Sequence, residues 1–181
     1  MVKLIEKVKI DNLLYTIHPE GKLEFEINLG ENASRLQNRD PDGLIHLLHD
    51  IVPRGSVLIF CPTKQNCEKV CKMISRLMPR YIREGKKTEK IAAIEAIKSE
   101  EDGKVSSLLE LSIMNGVAYH HGGLTAEERK IIEEAFEVDG IINIICCTST
   151  LAAGINLPVR RVIIKAPFVG KEPLRKAQYL Q

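Results

Sequence analysis

The sequence predicts an α/β fold, a parallel sheet flanked by helices, with a small N-terminal β appendage and a charged helical insertion. Three observations carry this. The runs Val57-Leu58-Ile59-Phe60, Val117-Ala118-Tyr119, 141–146 and Val162-Ile163-Ile164 are apolar without alternation, as in strands covered on both faces. Helical patterns separate them, so right-handed crossovers would join parallel strands. Hydroxyls, glycines and small residues gather just beyond the runs, at the strand ends where open parallel sheets hold ligands.

Taken in order, residues 2–29 read as short strands. Val2, Leu4, Val8 and Ile10 roughly alternate with polar neighbours, and Asp11-Asn12 signals a turn. Leu23, Phe25, Ile27 and Leu29 alternate cleanly, which predicts a strand with one buried face. Residues 31–40 read as a loop. Asp40 as N-cap and Pro41 at the first helical position open a helix that stops before Pro53. After the strand 57–60, residues 65–78 form a helix with a stripe of Cys67, Val70, Cys71, Ile74, Leu77 and Met78.

Residues 80–115 are crowded with charge, and Ile91, Ile94 and Ile97 give a weak helical stripe, so this stretch reads as a solvated, partly mobile helical insertion. His120-His121-Gly122-Gly123 leaves the strand at 117–119. Thr125 and Glu128 form a capping-box pattern that starts a helix, with Ile131, Ile132, Ala135 and Phe136 inward. Asp139-Gly140 turns into the strand 141–146. A loop and short helix follow, then the strand 162–164, then a helix from Glu172 to Gln181.

The 181 residues suffice for one domain with a core, and 44% apolar with 28% charged residues suits a soluble globular chain. A net charge of +2 permits a polyanionic partner where basic residues are locally gathered. Cys61, Cys67, Cys71, Cys146 and Cys147 lie in apolar strands or on a helix stripe, the placement of buried free thiols in a reducing compartment. Cys67 and Cys71 lack a second ligand pair at zinc spacing. No apolar run approaches the ~20 residues of a membrane helix, and a cytosolic or nuclear location is expected.

Several chemistries lack their residues. Gly21-Lys22, Gly85-Lys86, Gly103-Lys104 and Gly170-Lys171 are each followed by a residue other than Ser or Thr, so there is no Walker phosphate loop. There is no Asp-Glu dipeptide to hold magnesium and no G-x-G-x-x-G turn for a nicotinamide cofactor. What remains is the strand-end set at 61–65, 120–129 and 146–156. Thr63, Thr148, Ser149 and Thr150 bring hydroxyls, Gly122, Gly123 and Gly154 allow close backbone approach, and Lys64 and Arg129 add positive charge. Such an edge suits a phosphate backbone, whose oxygens need N–H and O–H donors. Glycine, serine and threonine are also ordinary turn residues of any α/β sheet, and both readings stand on composition.

The ordered blocks V-L-I-F-C-P-T-K (57–64), G-V-A-Y-H-H-G-G-L-T-A-E-E-R (116–129), T-S-T-L-A-A-G-I-N-L-P-V-R-R-V-I (148–163) and A-Q-Y-L-Q (177–181) add to this. Together they resemble the second RecA-like lobe of superfamily 2 DNA helicases, of the POLQ-like kind that includes the helicase part of DNA polymerase theta. The resemblance runs over roughly residues 40–181. It implies a RecA-like sheet, with 1–30 a β appendage or linker from the preceding lobe and 31–181 the second lobe, interrupted by the insertion 80–115. It implies that Thr63, Lys64, Gly122, Arg129 and Thr148 contact the nucleic-acid backbone, while His121 braces its loop. Gly154 and Asn156 would face the nucleotide; many relatives carry Asp where this chain has Asn156.

The resemblance further implies an ATP-dependent helicase that steps 3′ to 5′ and acts in DNA repair in the nucleus. ATP and magnesium would be bound mainly by a first RecA-like lobe, and single-stranded or forked DNA would be the partner. Gln181 matches the first residue of the family's next motif, whose arginines reach the γ-phosphate. A truncated, monomeric piece that is inactive alone, with no catalytic residue of its own, is therefore expected. The rival expectation is a non-catalytic nucleic-acid-binding or interaction module with the same fold.

Overall fold

A computed structural model describes residues 5–30, 39–40, 42–78, 84–100, 105–138, 140–148, 157–165, 168–169 and 172–173. The chain forms two compact units, Met1–Asp50 and Ile51–Gln181.

In the first unit, β1 (Glu6–Ile10), β2 (Leu13–Ile17) and β3 (Leu23–Asn28) make an antiparallel sheet in that order. Asp11, at φ 52°, supplies the left-handed residue of the β1–β2 turn, a conformation aspartate tolerates. Tyr15 and Phe25 are register partners with edge-to-face rings 6.0 Å apart. The buried face expected for β3 is absent, for Leu23, Phe25 and Ile27 are 44–57% exposed. Three strands are a single layer, and an apolar sheet face is buried by a second layer packed on it.

The helix α1 (Leu44–Ile51) begins later than expected. The Asp40 carboxylate accepts from Leu44 N–H at 2.9 Å and Ile45 N–H at 2.8 Å. Asp40 therefore caps the helix across a turn completed by Gly43 at φ 62°, a position that favours glycine. Pro41 lies outside the described residues.

The second unit holds the parallel sheet. Its strands are β4 (Val57–Phe60), β5 (Val117–His120), β6 (Ile144–Cys147) and β7 (Arg161–Ile164), in the order β5-β6-β4-β7. The helices are α2 (Lys64–Leu77), α3 (Lys87–Glu100), α4 (Ser107–Met114) and α5 (Ala126–Glu137). Val57, Ile59, Val117, Ile144 and Ile145 are fully buried in the sheet. Helices α2 and α4 pack on β5 and on each other, and α5 packs on β5 and α3. Tyr119 stacks on His121, which bonds to Glu68 of α2, whereas the neighbouring His120 reaches Glu133 of α5. Alternation along β5 thus directs these side chains to opposite faces of the sheet.

Three expectations are corrected here. The strand expected at 141–146 is Ile144–Cys147. Ile141 and Ile142 are buried, but their N–H groups bond to Val138 and Ala135 and close the end of α5. The charged stretch is packed more closely than its composition suggests. Along α3, Lys90, Ile94 and Ile97 are buried at helical spacing, with the Lys90 ammonium held below the usual lysine range by burial. Lastly, Glu172–Pro173 is the strand β9, paired antiparallel with β8 (Phe168–Val169), where a helix was expected to start. A residue before proline is pushed toward extended backbone, and proline is tolerated at a strand edge. The loop and short helix expected at 149–156 and the helix beyond Pro173 lie outside the described residues.

All five cysteines are free and buried. A hydrogen bond from the Cys67 thiol and the charge of Lys165 take Cys61 below the usual thiol range, against the opposing effect of burial, and the same bond with burial raises Cys67. Burial and a bond to Cys71 push Cys146 well up, and burial raises Cys147. Among the described residues no helix is long and apolar enough to cross a membrane.

Candidate nucleic-acid interface

Parallel register brings the strand ends together. Phe60, His120 and Ile164 each align with the end of a neighbouring strand, Phe60 with both Cys147 and Ile164, and His120 with Cys147. The residues just beyond continue the ladder. Thr148 N–H donates to His120 O at 3.3 Å, Cys61 N–H to Cys147 O at 2.8 Å, and Lys165 N–H to Phe60 O at 3.1 Å. The exits at 61–65, 121–125 and 148 therefore share one edge, with Thr148 in the middle. Neighbouring strands lie about 4.8 Å apart, so the outer two exits stand roughly 10 Å from each other.

Each exit is fixed by its own sequence. Thr63 is the N-cap of α2, its backbone extended at φ −140° and ψ 158°, and its hydroxyl oxygen accepts from Asn66 N–H at 3.1 Å. That bond uses an acceptor lone pair and leaves the hydroxyl hydrogen to be donated outward. Thr63 and Lys64 are exposed. The Lys64 stem reaches across the edge, its Cδ 3.7 Å from where a side chain on Gly123 would begin.

The second exit is held by His121. Its Nδ1 accepts from Gly123 N–H at 3.1 Å, and its Nε2 lies 3.2 Å from Glu68 Oε1. Accepting at Nδ1 places the ring hydrogen on Nε2, which donates to the carboxylate. A methyl group on Gly123 would meet His121 Nδ1 at 3.0 Å, so any larger residue there presses on the imidazole that holds the turn. Gly122 is exposed and has open space around it. Thr125 and Glu128 complete a capping box at the start of α5. From the next turn Arg129 donates Nη1–H to Leu124 O at 2.7 Å, tying the half-buried guanidinium to the loop while its other N–H groups remain donors.

Thr63, Lys64, Gly122, Arg129 and Thr148 are thus brought to one edge or to the first turn behind it. Gly154 and Asn156 lie outside the described residues. Sequence reasoning passed over Lys165, though it follows β7 at the same edge; extending the strand-end rule to the fourth strand finds it. It also passed over Glu68, which has no sequence signal because its role depends on α2 packing beside His121. Behind the edge, His120 Nε2 lies 2.6 Å from Glu133 Oε1, and its Nδ1 is buried without a hydrogen-bond partner. Burial holds the His120 imidazole below its usual range, outweighing the nearby carboxylate.

The edge is rich in donors. Two helix N-termini, of α2 and α5, follow the strand ends and carry partial positive charge. With Lys64, Arg129 and Lys165 they make a rim suited to an extended polyanion. Among the described residues no cluster of His, Cys, Asp or Glu offers metal coordination, and the sequence has no Walker loop.

Residues 96–181 match the helicase conserved C-terminal domain. The chain is 48% identical over 181 residues to the helicase POLQ-like of Caenorhabditis elegans, which takes in 99% of this chain and 19% of that protein. It is 36% identical over 197 residues to DNA polymerase theta of Mus musculus, covering 99% of this chain and 7% of that protein. It is 35% identical over 142 residues to the ATP-dependent DNA helicase Hel308 of Methanocella arvoryzae, covering 77% of this chain and 19% of that protein. The chain spans about a fifth or less of the length of these relatives. A four-stranded parallel sheet between helices, with motif-bearing strand ends on one edge, places these matches on the right architecture. The chain is thus a RecA-like helicase C-terminal lobe of the superfamily 2 type, similar to those of the POLQ-like helicases and DNA polymerase theta.

Proposed function

We propose that this chain is the second motor lobe of an ATP-dependent DNA helicase of the POLQ-like type, and that its strand-end edge grips the sugar-phosphate backbone of single-stranded or forked DNA. One observation carries the reading: the Thr63, Gly122 and Thr148 exits lie side by side, presenting hydroxyl, amide and cationic donors with no metal-binding carboxylate cluster among the described residues. Contacts of this kind are indifferent to base sequence and weaken with salt.

In this reading ATP and magnesium bind mainly to a first RecA-like lobe, which carries the Walker loop and the Asp-Glu pair that these 181 residues lack. Gly154 and Asn156 would complete the nucleotide's surroundings from this lobe. Translocation from 3′ to 5′, a role in DNA repair and a nuclear location belong to the same proposal and rest on likeness to POLQ-like relatives.

The test is Thr148→Ala in a full-length protein that contains this lobe. DNA-stimulated ATP hydrolysis should fall while DNA-independent hydrolysis and the far-UV circular dichroism spectrum are retained. Unchanged stimulation would remove Thr148 from the strand contact. Crosslinking of single-stranded DNA, mapped to residues, should mark the three exits; crosslinks confined to other surfaces would refute the edge itself.

A further inference from the structure

The flank of α2 carries a basic stripe that the strand-end edge does not use. At about 100° per residue, Gln65, Lys69, Lys72 and Arg76 fall within about 60° of arc. They lie opposite the buried face of Cys67, Val70, Cys71 and Ile74, and all four are exposed. Glu68, the one acid of α2, bonds to His121 at the edge.

Neighbouring helices balance their charges. Lys86 meets Glu89, Lys98 meets Glu95 and Glu110, and Lys130 meets Glu134. Soluble surfaces ordinarily intersperse both signs in this way. Among the described residues Lys69, Lys72 and Arg76 have no such ion pair. The stripe is also continuous with the edge, since α2 starts at the Thr63 cap and Gln65 stands in its first turn. From Lys69 to Arg76 the helix rises about 10 Å, long enough to run beside successive phosphates of one DNA strand.

We infer that Lys69, Lys72 and Arg76 form a second phosphate track on the outer face of α2, which holds the DNA backbone leaving the strand-end edge. This deepens the reading of that edge as a nucleic-acid site and rests on it. Each cation replaces condensed counterions on a phosphate, so the track adds affinity and salt dependence without base preference. The track lies beyond the edge, so it engages long oligonucleotides and not short ones.

The experiment compares this chain with its Lys69→Gln, Lys72→Gln, Arg76→Gln triple variant. Glutamine has nearly the helix propensity of lysine and arginine, so circular dichroism and Tm should match wild type. Fluorescence anisotropy is read against salt with labelled single strands of about 6 and about 20 nucleotides. The triple variant should bind the short strand as wild type does. On the long strand its slope of log K against log salt should fall in magnitude by about 2, from about 0.7 per lost phosphate contact.

Wild-type binding of both strands with no change of slope in the triple variant would overturn the track and leave the edge standing. No wild-type binding to either strand would overturn both. A lost slope on the long strand, with short-strand affinity untouched by Thr148→Ala, would keep the track and sink the edge. An unchanged slope on DNA, with a polyglutamate peptide bound by wild type and lost in the triple variant, would make this an acidic-protein surface and overturn the proposal.

Discussion

Thr63 caps α2, and in the proposed reading the same hydroxyl also donates to a phosphate, so substitutions can part the two tasks. Aspartate also caps helices well, because its carboxylate accepts from the same backbone amide. Thr63→Asp should therefore keep Tm near wild type while placing negative charge on the proposed phosphate rim, and DNA affinity should drop by about tenfold or more, ~1.4 kcal/mol. Thr63→Ala should instead lower stability by about 1 kcal/mol through the lost cap. Paired thermal melts and anisotropy titrations check both. His120 gives a pH dependence of known sign. Its folded-state pKa is lowered from 6.5 by burial, so the unfolded chain takes up protons more readily as pH falls below that value. This contribution to stability is fully present above about 6.5 and is lost as pH drops toward the folded-state pKa. Urea midpoints measured from pH 8 downward should show the decline, and His120→Gln should flatten it.

At the scale of elements, the turn into β4 is tightly determined. Gly55 has φ 129°, and a methyl group there would come within 2.7 Å of Arg160 Cδ. Gly55→Ala should cost about 1–3 kcal/mol from backbone strain, with more if Arg160 cannot shift, and chemical denaturation measures it directly. The strands β4, β5 and β6 were legible in the sequence because burial on both faces leaves an apolar run without alternation, as in Val57-Leu58-Ile59-Phe60, whereas the apolar run of β7 leaves Val162 exposed at the sheet's edge. The capping box of α5 was legible because Thr125 and Glu128 act within one helical turn. The start of α1 was misplaced because Asp40 caps from four and five residues away, across Gly43. A buried lysine in α3 could not be foreseen, since its burial depends on packing of α3 against α4 and α5. Shared position at one edge was legible for the site, because it follows from parallel strands. The bonds of Arg129 to Leu124 and of His121 to Glu68 were not, because they depend on how a loop folds back and how a helix packs.

Over the whole molecule, the proposal divides labour between lobes. The 181-residue chain should release no phosphate from ATP, with or without single-stranded DNA, in a coupled assay on pure protein; turnover there would mean that a nucleotide site has been overlooked. The buried thiols offer a different consequence. Cys61, Cys67, Cys71, Cys146 and Cys147 line the sheet and the helix resting on it, and the native state shields them all. An alkylating reagent meets them when that layer parts, so modification becomes a clock for opening. With opening and closing fast relative to alkylation, the rate of labelling reports the opening equilibrium at each position, read by mass spectrometry. Binding of DNA at the edge should slow labelling of Cys61 and Cys147, which adjoin there, more than labelling of Cys71 within α2.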